Sequence, residues 1–229
     1  MENHLPLITI VTVCRNVEYT LEATIQSVLA QSYPHTEYII VDGGSTDGTV
    51  DIIRRYAKQL TCWTSSQDNG VYDAMNKGLA MASGDYIYFI GADDWLADSA
   101  VLEKVSKVLD QSSDIDILCG RVLVVDRKLG LCRLVGGTLT REQVFCGCMT
   151  PHQGMFTRTQ LLREQRFSSE YKVAADFAFL LRSFLENKNI VFSEACIAYY
   201  SCYGMSSTSG LWIKEYTAIL EKYLPQDVP

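Results

Sequence analysis

Two adjacent carboxylates at the end of an apolar run are the residues best suited to chemistry in this chain. Asp93 and Asp94 follow the run Tyr86 to Ile90, whose aromatic and β-branched residues are typical of a buried strand. Adjacent acids repel each other and are costly to remove from water, so they require a counter-charge, most simply a divalent cation with oxygen ligands. A diphosphate bridged by that cation is the ligand they suggest. The alternative is an Asp-Asp turn that caps a helix beginning near Ser99.

A third acid follows the second predicted strand. Asp42 comes after the run 37–41 and opens the glycine-rich loop 42–48, which leads into a helix over 49–56. An acid at this place can pair with a nucleobase or ribose if the carboxyl ends of several strands converge on one ligand. A structural turn is the alternative. The glycine spacing does not fit the dinucleotide-binding fingerprint and no P-loop motif is present, so neither hydride chemistry nor a P-loop ATPase is supported.

Alternating strands and helices must position these acids, and they predict an α/β fold with a nucleotide-binding-like N-terminal half and a mixed, more irregular C-terminal half. In the first half we predict strands over 7–13, 37–41, 62–65 and 85–91, with helices that begin near 21, 49 and 70. In the second half we predict helices over 99–110, 158–164, 177–186 and 211–224, strands over 115–119, 190–193 and 196–202, and a hairpin of 122–125 with 131–135.

Composition limits the class of protein. The chain has 229 residues and a net charge of −7, which argues against a nucleic-acid partner. No apolar run approaches the ~18–20 residues that span a bilayer, and no secretory signal is visible, so we expect a cytoplasmic protein. The eight cysteines show no repeated metal-ligand spacing and lie mostly in strand-like runs, which favours buried free thiols.

Charge is unevenly distributed along the chain. Residues 121–182 contain ten basic residues against five acids. An anionic partner for this segment is one interpretation, and an ordinary solvated surface is the other.

Five motifs in a fixed order resemble the family 2 glycosyltransferases of the GT-A fold, especially the small bacterial members that build surface polysaccharides. The resemblance implies a single GT-A domain, in which 1–98 form the half that binds a nucleotide-diphosphate sugar and 99–229 form the half that binds the acceptor. The motifs are VTVCRN (11–16), VDGGSTDGT (41–49), DNGVYDAMNKG (68–78), SGDYI (83–87) and ADD (92–94).

The resemblance assigns donor-binding roles residue by residue. Many members carry an acid where this chain has Gly43, which alters the expected nucleotide contacts. The implied roles are base contact for Val13 and Arg15, base recognition for Asp42, closure over base and diphosphate for Asp68 and Lys77, ribose binding for Asp93, and Mn²⁺ or Mg²⁺ binding for Asp94.

Two residues of the second half are implied to act near the acceptor. Asp176, at the start of a predicted helix, matches the general base of inverting members; a helix N-cap is the alternative interpretation of its position. His152 falls where the family often keeps a histidine near the diphosphate or acceptor, although a lone histidine is more often structural.

The resemblance therefore implies an inverting, metal-dependent transfer of a sugar to a glycan or lipid-linked acceptor. A nucleotidyltransferase of similar fold and a non-catalytic nucleotide-sugar-binding module are the alternatives; the former requires a G-x-G-T-R-L-like loop after its first strand, which this sequence lacks. The terminal amphipathic helix is expected to pack on the core, with peripheral contact at the inner face of a membrane as the alternative. The basic bias of 121–182 would suit a lipid-diphosphate acceptor.

Overall fold

A computed structural model describes residues 5–112, 114–202 and 210–224. Strands and helices alternate through the first half and mix less regularly in the second, as the sequence predicts. The strands are β1 Ile8–Cys14, β2 Thr36–Asp42, β3 Cys62–Ser65, β4 Tyr86–Gly91, β5 Trp95–Leu96, β6 Ile117–Asp126, β7 Leu131–Val135, β8 Met155–Arg158 and β9 Ile190–Ser201. The helices are α1 Leu21–Leu29, α2 Thr49–Tyr56, α3 Val71–Met81, α4 Val101–Asp110, α5 Arg141–Phe145, α6 Thr159–Gln165, α7 Ala175–Leu185 and α8 Leu211–Tyr223.

Both halves of the chain contribute strands to one mixed sheet. Its order is β3-β2-β1-β4-β8-β6-β9-β5, and β7 pairs with β6 outside this path. The first four strands of that order are parallel, so their carboxyl ends lie at one edge. β8 joins the two halves, because it is antiparallel to both β4 and β6.

Two apolar layers cover the faces of the sheet. Side chains alternate along a strand, so the fully buried β1 sends Val11 and Val13 to one face and Ile8 and Ile10 to the other. The first layer includes α3, α6 and α7, and the second includes α1, α2 and α4. A strand buried on both faces is mostly apolar, which explains the composition of β1 and β4. The two buried threonines of β1, Thr9 and Thr12, form hydrogen bonds with Glu37 and Tyr38.

The structure corrects several predicted boundaries in the second half. The segments 115–119 and 122–125 form one strand, β6, with a register shift between Cys119 and Arg121. Likewise, 190–193 and 196–202 form the single strand β9. No pattern in the sequence predicted β5, β8 or α5. These elements have two to five residues, too few for periodicity to identify them.

The terminal helix packs on the core, as predicted. Ile219 of α8 is fully buried, and Tyr216 stacks on Phe177 of α7 with ring centroids 4.1 Å apart. None of the described helices combines the length and apolar character needed to cross a membrane.

The expectation of buried thiols is only partly right. All eight cysteines are free, but only Cys14 and Cys119 are buried, and Cys132, Cys146 and Cys148 are exposed. Cys132 is exposed because β7 pairs with β6 alone among the described strands and is exposed along most of its length.

Candidate active site

A cavity of about 900 Å³ opens where β1 and β4 end. The second half of the chain closes its other side through the hairpin of β6 and β7, the turn before β8, and the starts of α7 and α8. Six of the residues singled out in the sequence line this one cavity: Val13, Arg15, Asp93, Asp94, His152 and Asp176.

The acid pair after β4 is held in the cavity wall. Asp94 is 1% exposed; its Oδ2 accepts a hydrogen bond from Gln153 Nε2 at 2.9 Å, and its Oδ1 accepts one from the Ser201 backbone N–H at 2.9 Å. A Cβ at Gly91 would lie 2.6 Å from Asp94 Oδ2, so the glycine makes room for this carboxylate. Asp93 beside it is less buried.

Burial shapes the electrostatics of the pair. Desolvation, followed by the charge of Asp93, raises the pKa of Asp94 from 3.8 to about 6. Desolvation also raises the pKa of Asp93. Two acids whose charged forms are disfavoured in this way are suited to a bound cation, which would supply the missing positive charge.

The interpretation of the pair as a helix cap is wrong. The helix α4 begins at Val101, and it is Asp98 whose Oδ1 accepts a hydrogen bond from the Ala100 backbone N–H at 2.8 Å. Asp93 and Asp94 lie before this turn and face the cavity instead.

The carboxylate oxygens of the acid pair suit a cation that is shared with a substrate. Within 5–112, 114–202 and 210–224, no group of three or more His, Cys, Asp or Glu side chains comes together as a metal cage. Mg²⁺ is commonly held by one or two carboxylates together with substrate phosphates and water, and two adjacent carboxylates at a cavity wall match that pattern.

Asp176 also lines this cavity, in the first turn of α7. The N-cap position of this helix is Ala174, so Asp176 is not an N-cap. Its Oδ1 accepts hydrogen bonds from Tyr72 Oη at 2.8 Å and from the Phe177 backbone N–H at 3.0 Å. Its Oδ2 lies 3.1 Å from His152 Nδ1. The side chain is therefore fixed in one orientation while it still lines the cavity.

The turn before β8 connects the two acidic sites. His152 contacts Asp176, and the next residue, Gln153, donates to Asp94. This turn is held in place because β8 pairs with β4, the strand that ends at the acid pair. The four residues of β8 are too few to show a strand pattern in the sequence, so this connection could not be predicted.

Tyr72 and Gln153 are site residues to which the sequence analysis gave no role. Tyr72 is 5% exposed, and burial together with the charge of Asp176 raises its pKa well above the usual value. Its helical spacing matched a core position, and it does belong to the core. The motif DNGVYDAMNKG contained it, but only the fold shows that its hydroxyl reaches Asp176.

Three predicted donor-binding residues do not line the cavity. Asp42 is fully buried and accepts hydrogen bonds from the Gly44 and Ser45 backbone N–H groups at 3.1 and 3.0 Å and from Ser65 Oγ at 2.6 Å. This is the structural turn that the sequence left open as the alternative, and base recognition by Asp42 stays a prediction.

Asp68 and Lys77 hold the segment that follows β3. Asp68 Oδ1 accepts from the Gly70 backbone N–H at 2.9 Å, and Lys77 Nζ donates to the Gln67 carbonyl at 3.0 Å and lies 3.2 Å from Asp73 Oδ2. Their contacts with base and diphosphate stay predictions.

The glycine at position 43 accommodates Asp68. A Cβ at Gly43 would lie 2.2 Å from Asp68 Oδ2, so Gly43→Ala must displace this carboxylate. We expect Gly43→Ala to lower the free energy of unfolding by about 1 kcal/mol, and Asp68→Ala to relieve most of that loss. Urea unfolding of the two single variants and the double variant measures the coupling. Strictly additive effects would contradict the contact.

Comparison with two solved structures shows that the fold belongs to the GT-A class. The structure superimposes on S. aureus TarS 1–349 in complex with UDP-GlcNAc with a TM-score of 0.76, at 20% identity, covering 97% of this chain and 68% of that one. It also superimposes on the mannosyltransferase PcManGT from Pyrobaculum calidifontis in complex with GDP-Man and Mn²⁺, with a TM-score of 0.71 at 16% identity, covering 98% of this chain and 66% of that one. Both are GT-A enzymes, so the predicted fold is confirmed.

The chain belongs to glycosyl transferase family 2, whose sequence model matches residues 9–187. It is 30% identical over 205 residues to a PGL/p-HBAD biosynthesis glycosyltransferase of Mycobacterium tuberculosis, covering 87% of this chain and 78% of that protein. Over a shorter stretch of 108 residues it is 42% identical to a putative teichuronic acid biosynthesis glycosyltransferase, TuaG, of Bacillus subtilis, covering 45% of this chain and 42% of that protein. The family predicted from the five motifs is confirmed, and the protein is an enzyme.

Proposed function

We propose that this enzyme is an inverting, metal-dependent glycosyltransferase that moves a sugar from a nucleotide-diphosphate donor to a glycan or lipid-linked acceptor in surface polysaccharide synthesis. The observation that best supports this proposal is that one cavity contains both the acid pair after β4 and the fixed carboxylate of Asp176. The complexes of TarS with UDP-GlcNAc and of PcManGT with GDP-Man support a nucleotide-sugar donor. The teichuronic acid relative supports a surface polysaccharide product.

Asp93 and Asp94 are the residues that would hold the cation, Mn²⁺ or Mg²⁺. When bound, the cation offsets the charge that grows on the departing diphosphate. Asp94 accepts hydrogen bonds from two protein groups and so has a fixed orientation. The less buried Asp93 is available to the same cation or to the ribose. PcManGT in complex with Mn²⁺ supports this assignment.

We assign binding of the nucleotide-sugar donor to the ends of β1 and β4. Val13 and Arg15 line the cavity beside the acid pair, and the guanidinium plane of Arg15 can stack on a base. We assign Asp42 to holding the loop that begins at Gly43, and Asp68 and Lys77 to shaping the segment that closes over the nucleotide. The half 1–98 would then bind the donor, and the half 99–229 would bind the acceptor.

Asp176 acts as the general base in a single displacement. Its carboxylate accepts the proton of an acceptor hydroxyl as that oxygen attacks the anomeric carbon from the face opposite the nucleotide. The new C–O bond forms while the bond to the diphosphate oxygen breaks, and the electron pair leaves with the nucleotide, so configuration inverts. Tyr72 and His152 are positioning residues, because both hold the carboxylate through hydrogen bonds. General-base catalysis of this kind contributes about 10²–10⁴-fold.

A thermal-shift screen of nucleotide sugars tests the donor and the cation together. We expect one donor to raise the unfolding temperature, and to raise it further with Mn²⁺, because ligand at about 100 times its dissociation constant adds about 2.7 kcal/mol of stability. Asp94→Asn is the matched variant and should lose the Mn²⁺-dependent part. If no nucleotide sugar shifts the wild-type transition, with or without Mn²⁺, the proposed donor class is wrong.

A further inference from the structure

Exposed apolar side chains gather on two elements that border the cavity. Seven large hydrophobic residues are exposed in the described part of the chain, and five of them lie on the β6–β7 hairpin and at the start of α8. These five are Leu129, Leu131, Leu134, Trp212 and Ile213, with exposures of 70, 61, 46, 43 and 56%. Isolated exposed hydrophobic residues are ordinary, but a concentration beside an active-site cavity indicates an interaction surface.

The same two elements form part of the cavity wall. Arg133 and Val135 of β7 and Trp212 of α8 line the cavity. Leu131 lies on the same face of β7 as Arg133 and Val135, since side chains alternate along a strand. Leu131 is therefore continuous with the edge of the cavity, whereas Leu134 lies on the opposite face of β7.

The hairpin is also basic. Between residues 126 and 135 it has three cations, Arg127, Lys128 and Arg133, against the single acid Asp126. Arg127 lies over Trp95 of β5 with its Cζ 4.7 Å from the ring centroid, so its guanidinium packs on that ring. This local excess of positive charge contrasts with the net charge of −7 of the whole chain.

We propose that the β6–β7 hairpin and the start of α8 form a docking surface for an anionic lipid bilayer. Leucine and tryptophan side chains enter the interfacial region, and the cations bind the phosphate groups of the lipids. A second copy of this chain fits less well, because a twofold contact through the hairpin would bring the same cations together, whereas anionic headgroups neutralise them.

Docking in this way turns the cavity mouth towards the bilayer. This consequence rests on the proposed function: an acceptor sugar attached to a membrane lipid reaches Asp176 while its lipid stays in the bilayer. The surface thus gives the acceptor class a structural basis, since it favours a lipid-linked acceptor over a free glycan.

Vesicle co-sedimentation without donor or metal tests the surface directly. We expect the wild-type protein to sediment with vesicles of equal parts phosphatidylglycerol and phosphatidylcholine, and much less with phosphatidylcholine alone. Leu129→Ser combined with Leu131→Ser should lower the apparent association with the mixed vesicles by about tenfold or more. Arg127→Glu, Lys128→Glu and Arg133→Glu together should lower it by at least a similar factor, and added salt should weaken wild-type binding.

The matched control is Leu5→Ser. Leu5 is 41% exposed and precedes β1, at the edge of the sheet opposite the cavity, so this variant should bind vesicles as the wild type does. Thermal unfolding checks that each variant is folded. The proposal would be overturned if the wild-type protein did not bind mixed vesicles, or if the leucine variants bound them as well as the wild type does. Self-association in analytical ultracentrifugation that the leucine variants abolish would assign the surface to a second copy instead.

The test separates this inference from the proposed function. Asp176→Asn should bind vesicles normally, and the leucine variants should still act on a water-soluble acceptor, because neither leucine lines the cavity. If vesicle binding fails while transfer persists, only the docking surface is wrong. If transfer fails while vesicle binding persists, only the proposed reaction is wrong.

Discussion

Asp176→Asn should lower the turnover number by about 10²–10⁴-fold while leaving the dissociation constant of the donor nearly unchanged. The asparagine side chain retains the shape of aspartate and an oxygen that can accept from Tyr72, so the local fold should persist. It has no negative charge and cannot accept the acceptor proton. The loss should therefore appear in catalysis and not in binding of the nucleotide sugar, to which we assign other residues of the cavity.

Steady-state kinetics and calorimetric donor titration measure these two quantities separately. Asp51→Asn makes the same chemical change at a side chain that is 79% exposed on α2, and it should leave turnover unchanged. Unimpaired turnover in Asp176→Asn would refute its assignment as the base and would direct attention to His152, whose Nδ1 lies 3.1 Å from Asp176 Oδ2.

Asp94→Asn should change activity and stability in opposite directions. The substitution removes a negative charge from the proposed cation site, so we expect turnover to fall by about a hundredfold or more. It also removes a buried carboxylate whose ionisation is disfavoured by desolvation and by Asp93. Near pH 7, and without a cation, the folded state of the variant should be more stable than that of the wild type.

The direction of the pH dependence follows from the raised pKa. The pKa of Asp94 rises from 3.8 in the unfolded chain to about 6 in the folded protein, so the folded state holds this proton more tightly. The wild type should lose stability relative to Asp94→Asn as the pH rises from about 4 to about 6, by on the order of 3 kcal/mol. Below about pH 4 the two proteins should differ little in this respect.

Urea unfolding across this pH range, with Asp51→Asn as the control, measures the difference. Mn²⁺ should raise the unfolding temperature of the wild type more at pH 7 than at pH 5, because the carboxylate must be ionised to bind the cation. If Asp94→Asn is less stable than the wild type at pH 7, burial of the ionised Asp94 carboxylate does not cost the free energy that we expect. Undiminished turnover in the variant would contradict a cation at Asp94.

The sequence by itself determined the parts of this protein that depend on neighbouring residues. The mostly apolar runs of β1 and β4 predicted their burial, and the helix Thr49–Tyr56 and the strand Cys62–Ser65 were predicted with their observed bounds. Each of these elements is encoded within a window of a few residues by periodicity and turn residues. The order of five motifs between residues 11 and 94 predicted the family.

The tertiary structure alone decided how the site is assembled. The hydrogen bond from Tyr72 to Asp176 joins residues 104 positions apart, and the one from Gln153 to Asp94 joins residues 59 apart. The first depends on the packing of α3 and α7 in one apolar layer, and the second on the four-residue strand β8, which holds the turn at His152 beside β4. Asp42 is turned into its own loop by the Gly44 and Ser45 backbone N–H groups, and Ser65 of the neighbouring strand β3 donates to the same carboxylate. Such contacts depend on which segments pack together. The periodicity of the sequence does not show which distant segments will pair.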